Sequence, residues 1–132
     1  MPRMTWLLTQ GRPSIEIVLS LAMTGRQLQR TLLADTGAGS AGALFDLALL
    51  ESDCLTCGGT FVQSVWLHGA FSGTQPIYAI RVRIPQLGFD DDVHAVGLRA
   101  VTSGVDGIAG FRFLNRFTYG NFGDPRQFGL EN

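Results

Sequence analysis

Leu32-Leu33-Ala34-Asp35-Thr36-Gly37-Ala38 is an apolar run that ends in a carboxylate, a hydroxyl and a glycine. Apolar residues up to Ala34 followed by turn formers predict a strand that feeds a sharp turn with Asp35 at its head. Gly37 lets backbone N–H groups approach the carboxylate and keeps the space before it free of side chains. Thr36 adds a hydroxyl able to lock the turn by hydrogen bonding. By themselves these are ordinary turn residues, so the flanking sequence decides what the turn is for.

Upstream, Arg12-Pro13 marks a strand start, and Ile15, Ile17, Leu19 and Leu21 alternate with other residues from Ser14 to Leu21. That period of two gives a strand with one buried face. Met23 to Arg26 supplies a turn, and Gln27 to Leu33 returns as the second strand of a hairpin that runs into Asp35. Downstream, the apolar run Leu44 to Glu51 predicts a helix ended by Ser52-Asp53, with Asp46 and Asp53 capping or flanking it.

Thr60 to Leu67 reads as a strand, His68 to Thr74 as a glycine-bounded tip, and Ile77 to Ile84 as the returning strand. Pro85 to Phe89 and the carboxylates Asp90, Asp91 and Asp92 are expected in a solvated turn, before Val93 to Leu98 extends again. Near the C-terminus Gly107-Ile108-Ala109-Gly110 predicts a tight turn into a brief helix reaching Phe117. Thr118 to Phe122 and Gln127 to Leu130 then close the chain as strands around Asp124-Pro125, and Asp106 is a turn residue between Gly104 and Gly107. Many short strands separated by glycine turns favour an all-β barrel or sandwich, and 132 residues suit one domain.

Hydrophobic residues make up 45% of the chain and charged ones only 16%, against roughly 25% charged in an average soluble domain. Such sparse charge suggests apolar surface covered by a partner. A formal net charge of -1 without a basic run argues against nucleic acid as a partner. No stretch approaches the ~20 apolar residues of a membrane span and Met1 to Gln10 lacks a leader pattern, so a cytoplasmic protein without a membrane span is expected.

Cys54 and Cys57 form the only cysteine pair. A zinc site needs about four ligands, and His68 and His94 stand at no finger-like spacing, so no metal is expected. A redox pair belongs at a helix start after a strand, whereas Gly58-Gly59 follows directly. The expectation is two reduced thiols in a turn, with a redox or metal protein centred on them as a competing class.

The order of the hairpin, the Asp35-Thr36-Gly37-Ala38 turn, the glycine-tipped hairpin and Gly107-Ile108-Ala109-Gly110-Phe111 resembles the retropepsins, the single-domain aspartic proteases of retroviral type. The resemblance spans about Pro13 to Leu130. It implies an all-β barrel with a flap hairpin and one or two short helices, in which Asp35 is the catalytic carboxylate. Thr36, Gly37 and Ala38 complete the active-site loop. His68, Gly69, Ala70, Phe71 and Gly73 fall on the flap over bound peptide, and Ile108, Ala109 and Gly110 support the loop from beneath. Ala109 is smaller than the residue usual before that glycine, and the family gives Cys54 and Cys57 no role.

The chain has one Asp-Thr-Gly turn, and Val105-Asp106-Gly107 lacks the hydroxyl residue of a second. The resemblance therefore implies a homodimer, in which a twofold axis brings two copies of Asp35 together, acting on a protein or peptide substrate without metal or organic cofactor. Trp6, Leu7 and Leu8 are placed either at the interface between copies or over the core. The competing function is a non-catalytic β-barrel of the same scaffold that binds peptides or assists assembly.

Overall fold

A computed structural model describes residues 1–69 and 72–132. Ala70 and Phe71, assigned to the flap from the sequence, lie outside the described residues. The frame of the molecule is the hairpin that leads to Asp35. Strand β2 (Ser14–Ser20) buries Ile15, Ile17 and Leu19 completely and leaves Glu16 and Val18 half-buried on the other face. Each fully buried aliphatic side chain of this kind contributes about 1.5–3 kcal/mol. β3 (Gln27–Ala34) runs antiparallel to it, Ser14 opposite Leu33 and Ser20 opposite Gln27.

β3 then lies parallel to β8 (Gly107–Ala109), and β8 is antiparallel to β4 (Leu47–Leu50). β4 runs parallel to β7 (Phe89–Leu98), which forms a long antiparallel hairpin with β6 (Gly73–Ile84). Pairing of Val18 in β2 with Arg83 in β6 closes these six strands into a barrel. β5 (Thr60–Leu67) continues the sheet beyond β6. A separate sheet sets β10 (Gln127–Glu131) between β1 (Arg3–Leu7) and β9 (Thr118–Gly120). The helices are short: α1 (Glu51–Thr56) and α2 (Phe111–Leu114). Among the described residues no helix is long and apolar enough to cross a membrane.

The barrel core gathers Ile15, Ile17, Leu32, Leu49, Val82 and Phe113 among its fully buried members. A smaller cluster of Ala48, Ile77, Val96 and Leu98 packs with Phe45, Val65, Leu67 and Ile108. This second cluster joins the tip half of the β5–β6 hairpin to the strands beside Asp35.

Several sequence expectations are corrected. The helix expected over Leu44 to Glu51 is instead strand β4 followed by α1. β4 is covered on both faces and paired on both edges, so it carries a continuous apolar run without alternation. Asp90, Asp91 and Asp92 lie within β7, not in a turn. There Arg81 of β6 pairs with Asp90 at 2.7 Å and Asp92 at 3.7 Å, cross-strand neighbours that keep the acidic end of the hairpin extended. Gly107 to Ala109 form a strand between β3 and β4, with α2 following from Phe111. Of the segment read as interface or core cover, Trp6 is buried in the core, whereas Leu7 is 76% exposed.

Candidate active site

The turn after β3 is held by its backbone. The Asp35 N–H donates to the Ala109 carbonyl at 2.9 Å and the Ala34 N–H to the Pro13 carbonyl at 2.9 Å. Ala38 N–H closes the turn onto the Asp35 carbonyl at 3.1 Å. Gly37 N–H donates to Asp35 Oδ1 at 2.9 Å, a charge-assisted bond stronger than one between neutral groups. The residue type read from the sequence as permitting such an approach is the one that makes it. Asp35, Thr36 and Gly37 are exposed and Ala38 is half-buried, so the carboxylate stands open at the surface of the single chain.

The support expected from Ile108, Ala109 and Gly110 has a definite form. Ala109 is buried and its carbonyl receives the Asp35 amide. Ile108 is half-buried beside the turn. The Phe111 N–H, at the start of α2, donates to the Ala38 carbonyl at 2.9 Å. A methyl group on Gly110 would come within 2.9 Å of that same carbonyl, so this position has room only for hydrogen.

Next to the turn lies a cleft of about 410 Å³. Ala38, Phe45, Ala48, Val96, Leu98 and Ile108 give it apolar walls, and Gly37, Gly39 and Gly110 line it closest to the turn. Trp66, Leu67 and His68 reach it from the end of β5. His68 and Gly69 are exposed, and Gly69 and Gly73 both take positive φ, +82° and +117°. Of the residues placed on the flap, His68 therefore meets the cleft, while Gly73 begins β6. Trp66 and Phe45 were not singled out from the sequence. Trp66 is 62% exposed although it edges an apolar cleft.

Cys54 and Cys57 sit in and at the end of α1, not in a free turn. Cys54 is buried, Cys57 half-buried, and both are free thiols. Burial pushes the Cys54 thiol up to about 12 and raises that of Cys57, so both are held as thiols at neutral pH, the opposite of an activated pair. Asp106 behaves as the turn residue expected: its carboxylate accepts the Thr31 N–H at 2.8 Å and its N–H donates to the Thr31 carbonyl at 2.8 Å. Asp53 is a buried partner of Arg30, at 2.9 and 3.1 Å. Asp46 is not a cap: it is 1% exposed and bonded to β7 and to arginines at α2. Among the described residues no group of three or more His, Cys, Asp or Glu is placed to hold a metal ion.

One exposed carboxylate on a hydrogen-bonded turn cannot be acid and base at once. A second titratable group at the same place would supply that pairing.

No family model and no curated protein matches the chain. Its fold matches the crystal structure of a retropepsin-like aspartic protease from Rickettsia conorii, with a TM-score of 0.61 and 15% sequence identity over 97% of this chain and 89% of that one. The chain thus has a retropepsin-like fold, a closed β-barrel with two short helices.

Proposed function

We propose that residues 1–132 form one aspartic endopeptidase domain, active as a homodimer in which two copies of Asp35 share a single site. The observation that carries this reading is the exposed Asp35 carboxylate on its glycine turn, beside an apolar cleft that the end of β5 reaches. The similarity to a retropepsin-like aspartic protease supports it.

Two carboxylates about 3 Å apart cannot both ionise and hold one proton between them, as is general for aspartic proteases. The ionised member draws a proton from a water molecule, which attacks the peptide carbonyl, while the protonated member gives its proton to the carbonyl oxygen. The β5–β6 hairpin closes over an extended peptide, which binds by strand-like main-chain hydrogen bonds. The cleft walls of Phe45, Val96, Leu98 and Ile108 favour apolar substrate side chains.

The terminal strands are paired without a partner, because β1 and β10 pair within one chain and Arg3 bridges Glu131 across them at 2.9 Å. Dilution through the dimer dissociation constant is therefore expected to lower activity per mole while circular dichroism stays native. Activity per mole that stays constant while light scattering reports monomers would rule out the shared site.

A further inference from the structure

Asp46 is buried at the end of a long irregular stretch. Residues 38–46, between the Asp35 turn and β4, form neither helix nor strand, and both ends of this loop rest on α2. Phe111 N–H donates to the Ala38 carbonyl at one end and Gly110 N–H to the Asp46 carbonyl at the other, each at 2.9 Å. Consecutive amides at the start of one short helix thus hold the loop closed.

A helix of four residues has little stability of its own, so something must fix its orientation. The Asp46 carboxylate does so from three sides. Oδ1 accepts a hydrogen bond from Arg116 at 3.1 Å and pairs with Arg112 Nε at 3.5 Å. Oδ2 accepts the His94 N–H of β7 at 2.9 Å, and the Asp46 N–H donates to the His94 carbonyl at 2.7 Å. Arg112 also donates to the Ala43 carbonyl, within the loop, at 2.7 Å. Strand, loop and helix meet on one charge.

Buried ion pairs are a poor source of net stability, since desolvation offsets much of their attraction. They are well suited to fixing geometry, because moving either partner leaves a charge unpaired. We infer that Asp46 is a positioning residue: its carboxylate sets the orientation of α2, so that the Gly110 and Phe111 amides clamp the loop and with it the Asp35 turn. The kinetic side of this inference rests on the protease reading, and the structural side on geometry alone.

The test compares Asp46→Asn and Arg116→Gln with Asp53→Asn, which breaks the other buried acid–arginine pair, between α1 and β3. Misplacing reacting groups by about 1 Å costs about a hundredfold in rate. Asp46→Asn is expected to lower kcat per folded dimer by about that factor at little-changed KM, with Arg116→Gln intermediate. Amide exchange at Ala38 and Phe111 should accelerate in both, while Ile17 and Val82 in the barrel keep their protection. Asp53→Asn should lower Tm but leave kcat and those exchange rates unchanged. Wild-type exchange at Ala38 and Phe111 in Asp46→Asn would overturn the inference, as would an unchanged kcat. If Asp46→Asn does not fold, Arg116→Gln decides by the same readings. A wild-type protein that cleaves no peptide defeats the protease reading, while the exchange measurements still decide the clamp.

Discussion

Asp35→Asn is expected to lower kcat/KM by about ten-thousandfold or more, the upper end of what general acid–base groups supply, with fold and dimer intact. The amide has nearly the shape of the carboxylate, and its oxygen can still accept the Gly37 N–H that now meets Oδ1 at 2.9 Å. The backbone bonds of the turn, from Asp35 N–H to Ala109 and from Ala38 N–H to Asp35, do not involve the side chain. What is lost is the ability to take a proton from water. Cleavage of a mixed peptide library, measured beside circular dichroism and Tm, checks this. Turnover by the pure variant within about a hundredfold of wild type, the lower end of what such groups supply, would remove Asp35 from the chemistry.

Gly107→Ala should be the most damaging of single-methyl additions to the barrel. Gly107 lies between β3 and β4, opposite Leu32 and Leu49. An added Cβ would stand 2.2 Å from the Ala48 carbonyl oxygen and 2.9 Å from Leu49 Cδ2. The carbonyl is backbone inside a paired strand and cannot swing aside, so the barrel must open locally at the strand whose end bonds Asp35. Overpacking of this kind costs about 3 kcal/mol or more, which lowers Tm by roughly 10 °C in a domain of this size. Gly42→Ala is the contrast, since nothing lies within 4 Å of its added methyl, and it should stay within about 0.5 kcal/mol of wild type. Calorimetry of the two variants settles the matter, and a Gly107→Ala protein melting with the wild type would contradict the packing described.

Where one face of a strand is buried and the other is not, the sequence was legible. β2 alternates as Ile15, Ile17 and Leu19 require. β5 also runs over the residues read for it, Thr60–Leu67, although only Val65 and Leu67 are even half-buried in it. The Asp35 turn was legible where it is local, since the Gly37 and Ala38 amides bond Asp35 within three positions, while its anchors to Pro13 and Ala109 are remote in sequence. β4 was not legible. Buried on both faces, it shows the same unbroken apolar run as a buried helix, and periodicity cannot separate the two.

The charged residues failed for a different reason, because the partners that define them are remote in sequence. Asp46 meets His94 and Arg116, 48 and 70 positions away, so nothing near it distinguishes a buried hub from a cap. Asp90 and Asp92 looked like a loop until Arg81 stood between them across the β6–β7 hairpin. The cleft was half legible. Gly37, Ala38, His68, Ile108 and Gly110 were read from the sequence, whereas Phe45 and Trp66 come to it only through the pairing of β4, β7, β6 and β5 in one sheet.

The shared carboxylate pair is tested most directly by mixing equal amounts of wild-type chain and Asp35→Asn chain, at concentrations that saturate the dimer and with subunit exchange verified by mass spectrometry. Random pairing leaves about a quarter of the dimers with two Asp35 carboxylates, so activity per total dimer should fall to about a quarter of the wild-type value. Chains that each carry a complete site would retain about half by the same counting, and a measured value near half would contradict the shared site.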